Sequence, residues 1–362
     1  MDHAGRLRRI EKALSENELD FLLVTHLPNI RYLSGFTGSS AALLLGDRGA
    51  MFFTDGRYRT QAKQEVRNGR IVIATKAPAL AAAEWLASQR LRGPRPSLGI
   101  EPESLTVGLN RKVETLVRGK VKMRLAPPLI ERARMVKDAE EIRRIRKAVG
   151  LGATLFAVAR KEIRPGTREV EVAAAMEYAA RRGGAEGMSF PTILASGPRS
   201  AMVHGRASGA RIARRGFVVC DFGVILAGYC SDRTRTVHVG QPSREERAFY
   251  NAVGEAQQAA IDCARAGVSA GQVDQAARSV LRKWKLDKYF THSTGHGLGL
   301  EIHEGPRLAA GQTETLEAGM VVTIEPGAYI PGKRGVRIED VVVITASGCE
   351  PLSATEKELV VL

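Results

Sequence analysis

Apolar residues along this chain fall into two kinds of run: short blocks of aliphatic and β-branched side chains, and longer stretches where they return every third or fourth residue. The blocks predict strands and the stretches predict helices. Residues 1 to about 128 alternate the two. A charged first helix leads to Phe21–Thr25, then come the blocks Ala41–Leu45, Ala50–Thr54, Ile71–Ala74 and Leu98–Ile100. An alanine- and leucine-rich helix from about Ala79 to Leu91 lies before the last block, with Pro78 at its start, where a missing N–H costs nothing. Pro28–Gly38 reads as a loop and Asp55-Gly56-Arg57-Tyr58 as a turn. Ala126-Pro127-Pro128 stiffens the chain and avoids helix, so it marks a boundary between domains of residues 1–128 and 129–362.

In the second domain Glu140–Val149 opens an amphipathic helix with Ile142, Ile145 and Val149 on one face. Pro165-Gly166-Thr167 ends it, and another helix runs to about Arg182. Two more helices are expected at about Arg244 to Ala266 and Gln272 to Trp284. Each helix pair precedes a hairpin pattern. One is Val218–Gly223 running into Tyr229–Thr236 around Gly228, the other Thr323–Gly327 running into Val336–Asp340 around Gly332. The domain therefore reads as two similar halves whose hairpins face each other, and the chain as α/β (α+β).

Both hairpins carry paired acids at positions that an apolar strand would not choose. With the first turn centred near Leu226-Ala227, Asp221 and Asp232 oppose each other to within about one residue. In the second, Gly332 is midway between Glu325 and Glu339. Opposed residues have Cβ atoms ~4.5 to 5.5 Å apart, and like charges there are destabilising unless a cation compensates them. His296, in Gly295-His296-Gly297, has glycines on both sides that leave its imidazole unobstructed, as suits a ligand. Asp221, Asp232, His296, Glu325 and Glu339 then offer mostly hard oxygen donors and one nitrogen, a set that suits Mn²⁺, Co²⁺ or Fe²⁺ at least as well as Zn²⁺. Five such ligands exceed the needs of one ion with an open position; two divalent ions bridged by carboxylates fit, and hydrolysis by a bridging water of lowered pKa follows.

Charge and composition narrow the setting. The 362 residues include 54 Lys+Arg against 39 Asp+Glu, a net charge of +15. The basic residues are scattered and no aromatics are interleaved with them, so a solvated surface is expected rather than a nucleic-acid stripe. No apolar run is long enough to span a membrane, and the charged start carries no signal-peptide pattern. Cys220, Cys230, Cys263 and Cys349 show no CxxC spacing, which fits a reducing, cytoplasmic setting.

Taken together, Asp221-Phe222-Gly223, Ser231–Thr236, Gly295–Gly299, Ile302-His303-Glu304-Gly305-Pro306, Ile324–Gly327 and Val336–Asp340 resemble the pita-bread metallopeptidases, most closely the Xaa-Pro aminopeptidase and prolidase (Xaa-Pro dipeptidase) branch. Asn29–Phe36 and Thr54–Tyr58 are similar to the creatinase-like amino-terminal domain of that branch. The resemblance implies a manganese-type dinuclear exopeptidase that removes the residue before proline from dipeptides or short peptides. It implies that Asp221 binds one metal, His296 and Glu325 the other, and that Asp232 and Glu339 serve both, with Glu325 shuttling the proton. By motif, His204, His303 and His292 correspond to substrate-side histidines. Arg337 shares a strand face with Glu339 and could orient that carboxylate or reach substrate. Many relatives have proline where this chain has Val203. A homodimer is also implied. Two other readings stand beside this one: a creatinase-like carbon–nitrogen hydrolase, and a metal-free binding module for nucleic acid or protein. Relatives of both kinds do without the metals, whereas this chain keeps the full ligand set.

Overall fold

The computed structural model describes residues 1–46, 49–91, 95–352 and 357–362. The chain divides into two compact units, Met1–Arg134 and Met135–Leu362. In the first, α1 (His3–Glu16), β1 (Phe21–Val24), α2 (Leu27–Ser34), β2 (Ala41–Gly46), β3 (Met51–Asp55), α3 (Arg59–Glu65) and β4 (Arg70–Ala74) are followed by α4 (Pro78–Ser88), β5 (Ser97–Ile100), α5 (Val107–Val117), β6 (Lys122–Leu125) and α6 (Leu129–Met135). The strands form one mixed sheet, β4-β3-β2-β1-β5-β6. Central β1 and β5 are buried at every position, which is why their sequences are apolar runs without alternation. The stretch read as a loop from Pro28 is instead helix α2. Pro28 is tolerated in its first turn, and Gly35, at φ 83°, closes it with a left-handed cap.

The second unit contains α7 (Ala139–Glu162), α8 (Glu169–Arg182), β7 (Gly187–Met188), β8 (Ile193–Ser196), β9 (Gly216–Asp221), β10 (Val224–Leu226), β11 (Tyr229–Cys230) and β12 (Thr234–Val239). The pattern then repeats as α9 (Arg244–Cys263), α10 (Ala270–Lys283), β13 (Gly295–Gly297), β14 (Glu304–Leu308), β15 (Val321–Ile324), β16 (Gly327–Ile330), β17 (Arg334–Arg337) and β18 (Asp340–Ile344), with β19 (Cys349–Pro351) last. Capping boxes start three of the four long helices: Asp138 with Glu141, Ser243 with Glu246, and Ser269 with Gln272. Val253, Ala256 and Leu281 pack on Val322, Ile324 and Ile338 in one half, and Leu155, Val172 and Met176 on Val218, Cys220 and Val237 in the other.

Each hairpin is an interrupted ladder, and the interruptions are where the acids sit. In the second, Ile324 pairs with Asp340 and Gly327 with Arg337, a register that places Glu325 opposite Glu339. In the first, Leu226 pairs with Tyr229, so the turn is Ala227-Gly228, both left-handed at φ 49° and 82°. That is one residue later than the sequence suggests. Asp221 consequently faces Thr234. The Asp pair is therefore diagonal rather than opposed.

The two hairpins meet edge to edge. Thr236 Oγ1 donates to Arg337 O at 2.9 Å and accepts from Arg337 N at 3.2 Å, while Glu339 N donates to Thr234 O at 3.2 Å. This seam brings the acids of both halves to one place. All four cysteines are free, and no helix among the described residues is long and apolar enough to cross a membrane.

Candidate metal centre

Asp221 ends β9, Asp232 lies in the break between β11 and β12, and Glu339 lies in the break before β18. Their carboxylates converge, with one oxygen from each lying within 4.8 Å of the others. Just past Asp221 the two strands come unusually close. A Cβ on Gly223 would lie 1.9 Å from Ser231 O, so glycine is required there. His296 joins from β13, its Nε2 3.5 Å from Asp232 Oδ2 and 3.4 Å from Glu325 Oε1. Its other nitrogen, Nδ1, is 3.0 Å from Gly297 O. A carbonyl only accepts, so Nδ1 carries a proton and Nε2 is turned toward the carboxylates; burial opposes a charge on the ring, but the hydrogen bond and charge of Glu325 outweigh it and raise His296 above the usual imidazole value.

Neighbouring hydroxyls hold the acids. Thr234 Oγ1 donates to Glu339 Oε2 at 2.8 Å, and Thr323 Oγ1 donates to Glu325 Oε1 at 3.2 Å. Arg337 donates through Nη2 to Asp221 Oδ2 and through Nε to Thr234 Oγ1 at 3.0 Å, so it touches one carboxylate directly and reaches Glu339 through a threonine. Its Nη1 donates to Val203 O at 3.1 Å and to the Tyr329 hydroxyl at 2.6 Å. The Tyr329 oxygen thus accepts, and its own proton points to His292 Nε2 at 2.9 Å, while His292 Nδ1 donates to Ser293 O at 2.8 Å. Both His292 nitrogens are engaged.

A cavity of about 610 Å³ opens beside this cluster, lined among others by Asp221, Asp232, His292, His296, Glu325, Arg337, His204 and His303. All nine residues singled out in the sequence therefore belong to one region. Glu339 alone is not on the cavity wall but behind it, bound to the cluster through Asp221 and Asp232. His303 packs edge-on against His296, ring centroids 4.4 Å apart. Sequence reasoning missed Tyr329, the apolar wall of Phe190, Pro191 and Ile302, and the cations Arg206 and Arg307. Tyr329 could have been found by strand period, since it shares a face with Gly327 and lies four residues past Glu325.

The electrostatics are those of buried carboxylates crowded together. Burial, then the mutual repulsion of the carboxylates, pushes Asp232 and Glu339 well above the usual carboxylate range. Burial also raises Asp221, against the pull of Arg337. Burial would raise Glu325 as well, but the hydrogen bond and charge of His296 outweigh it and bring the carboxyl down to about 2. Burial lowers His292 to about 4 and also lowers His303. Asp221 Oδ1 and Glu339 Oε1 are buried with no hydrogen-bond partner among the described residues. Clustered buried carboxylates, two of whose oxygens have no partner among the described residues, with an imidazole nitrogen turned toward them, fit divalent cations.

A pH signature follows. In the metal-free fold the raised carboxyls hold protons that the unfolded chain gives up near pH ~4, so their contribution to stability falls as pH rises. Metal binding needs the same groups ionised. The gap in melting temperature between Mn²⁺-loaded and chelator-treated protein should therefore widen from about pH 5 to about pH 8. A constant or narrowing gap in thermal melts would contradict this.

Comparison with known proteins agrees with this geometry. Residues 143–346 match metallopeptidase family M24, and residues 6–136 match the creatinase/prolidase N-terminal domain. The Xaa-Pro dipeptidase of Pyrococcus furiosus is 38% identical over 98% of this chain and 99% of its own length. Among solved structures, the Xaa-Pro dipeptidase from Bacillus anthracis matches at TM-score 0.94 and 36% identity, covering 99% of this chain and 100% of that one. The X-Pro aminopeptidase from Thermotoga maritima matches at TM-score 0.88 and 35% identity, covering 98% and 99%. By a match across more than half its length, joined to relatives aligned end to end, the chain belongs to metallopeptidase family M24 and carries the creatinase/prolidase N-terminal domain.

Proposed function

We propose that this metallopeptidase cleaves the bond before proline in Xaa-Pro dipeptides, and more slowly in short peptides. The observation that carries the reading is the convergence of Asp221, Asp232, His296 and Glu325, with Glu339 behind them, at a cavity that His204, His303 and two further arginines also line. Asp221 would serve one ion, His296 and Glu325 the other, and Asp232 and Glu339 both. Bound there, two divalent ions, Mn²⁺ first among the candidates, would supply Lewis-acid stabilisation and a water of lowered pKa.

The chain's own groups do the rest. Glu325 is ionised at neutral pH, as a proton acceptor must be, and lies at the cavity edge where it can pass that proton to the departing proline nitrogen. His204 and His303 are exposed at the cavity and can donate to the peptide oxygen on which charge develops. His292, with both nitrogens engaged, shapes the pocket together with Tyr329. Phe190, Pro191 and Ile302 offer an apolar surface for the proline ring. Arg206 and Arg307 line the cavity without an acid partner among the described residues, which favours a substrate that brings its own carboxylate close to the scissile bond. A dipeptide does this. A homodimer in the cytoplasm belongs to the same proposal, and light scattering of the purified protein tests the assembly.

Chelator-stripped protein should be assayed on Ala-Pro, Ala-Pro-Ala and Ala-Ala with and without Mn²⁺, Co²⁺ or Zn²⁺. The expected result is metal-restored cleavage of Ala-Pro, slower cleavage of Ala-Pro-Ala and none of Ala-Ala. Equal cleavage of Ala-Ala would refute proline selectivity, and no cleavage with any metal would refute the peptidase reading.

A further inference from the structure

Among the buried ion pairs that have no part in the chemistry described so far, one lies directly beside His303 in the chain. Lys137 Nζ lies 3.2 Å from Glu304 Oε2, and the two side chains are only 1% and 6% exposed. Taking both charges out of water is expensive, and apolar residues of similar volume would serve stability as well or better. A pair retained under those conditions is worth reading for what it holds in place.

Glu304 follows His303 directly. Its Oε1 accepts from Glu301 N at 3.1 Å, which closes the turn whose apex is Ile302 and His303. The same carboxylate lies against Gly299, where an added Cβ would come within 2.8 Å of either oxygen. On the other side Glu304 pairs with Gly297 in β14–β13, next to His296. Lys137 is itself fixed, since its backbone N–H donates to Gly319 O at 2.9 Å and Asp138 caps α7 immediately after it. His303 is exposed and packs edge-on against His296. Its aim toward the cavity therefore depends on the turn beneath it.

We propose that Lys137 is a positioning residue for His303: its buried ammonium holds the Glu304 carboxylate under the 299–304 turn, and so holds the His303 imidazole at the open side of the metal centre. Without Lys137 the buried Glu304 carboxylate loses the ammonium 3.2 Å from its Oε2, and a carboxylate that shifts in response carries with it the turn that its Oε1 closes through Glu301 N. The inference rests on the role proposed above for His303, and two independent readouts separate them.

The first readout is kinetic. Lys137→Met should lower kcat on Ala-Pro by about 10- to 100-fold with little change in KM, as expected when a catalytic group is misplaced rather than lost. The same substitution in a His303→Ala background should cost less than about twofold, because the group it positions is gone. Lys137→Met with Glu304→Gln should regain most of the rate, since no charge is then stranded. If Lys137→Met is insoluble, Glu304→Gln breaks the pair from the other side and carries the same comparison.

The second readout is the His303 ring signal in the heteronuclear NMR spectrum of metal-free protein, assigned by its loss in His303→Ala, which should shift or broaden in Lys137→Met. A Lys137→Met enzyme within about twofold of wild type, an equal loss with and without His303, or an unmoved ring signal would each overturn the proposal. Wild-type protein inactive on Ala-Pro whose ring signal still moves would instead refute the Xaa-Pro reading and leave the positioning role standing.

Discussion

Asp232→Asn should abolish metal-activated turnover and at the same time raise the melting temperature of the metal-free protein. Both effects come from one carboxylate. In the folded chain Asp232 is desolvated and repelled by Glu339, Asp221 and Glu325, against the weaker pull of Arg337 and with the His296 ring at 3.5 Å. An amide of the same shape removes the repulsion and the cost of ionising a buried acid, a gain of roughly 1–2 kcal/mol, or roughly 2–8 °C in a unit of this size. The catalytic loss runs the other way. If Asp232 serves both ions, as proposed, losing its carboxylate would forfeit several kcal/mol of charge stabilisation, a drop of about 10³-fold or more in kcat/KM. Glu339→Gln should behave likewise. The checks are thermal melts in chelator and rates on Ala-Pro with saturating Mn²⁺. A variant with the wild-type rate would remove Asp232 from the centre, and a lowered metal-free melting temperature would make it a structural acid.

That opposition between stability and function is what made the centre legible in the sequence. Acids within apolar strand blocks contradict the local pattern, and such contradictions concentrate at functional sites. The second hairpin could be placed to the residue because Gly332 is central and the register of Ile324 with Asp340 continues through it. The first was placed one residue early because Leu226-Ala227 and Ala227-Gly228 are both plausible turns, and only the left-handed backbone at Ala227 and Gly228 decides between them. The Asp pair converges anyway, because both strands break at Gly223 and Ser231.

Tertiary features were not legible. Glu304 beside His303 reads as one more charged residue, and its partner Lys137 is 167 positions away. Helix α2 was hidden by Pro28 and Gly35, which mark a helix start and stop as readily as a loop. Arg206 and Arg307 were lost among 54 basic residues. Their meaning lies only in the wall they line.

Arg337→Met should have the opposite stability sign. Its guanidinium is buried and holds Asp221, the Thr234 hydroxyl, Val203 O and Tyr329 at once. Removing it strands the Asp221 charge and frees the loop that carries His204, a cost of about 3–5 kcal/mol, or roughly 6–20 °C. Because Asp221 can relieve its loss by taking up a proton, the deficit should shrink as pH falls and grow as pH rises. Loading with Mn²⁺ should narrow it too, as cations replace the missing positive charge. Turnover responds differently, since metal cannot restore the His204 loop or the link from Tyr329 to His292, and kcat/KM should stay about 100-fold down.

Arg337→Lys separates charge from shape. A point ammonium can neutralise Asp221 but cannot span four acceptors fixed by a planar fork, so most of the stability should return and little of the rate. Melts at two pH values, with and without metal, and rates on Ala-Pro decide it. Full activity in the lysine variant would show that only the charge matters. The cavity wall around His204 would then owe its position to packing, and the guanidinium contacts to Val203 and Tyr329 would be incidental.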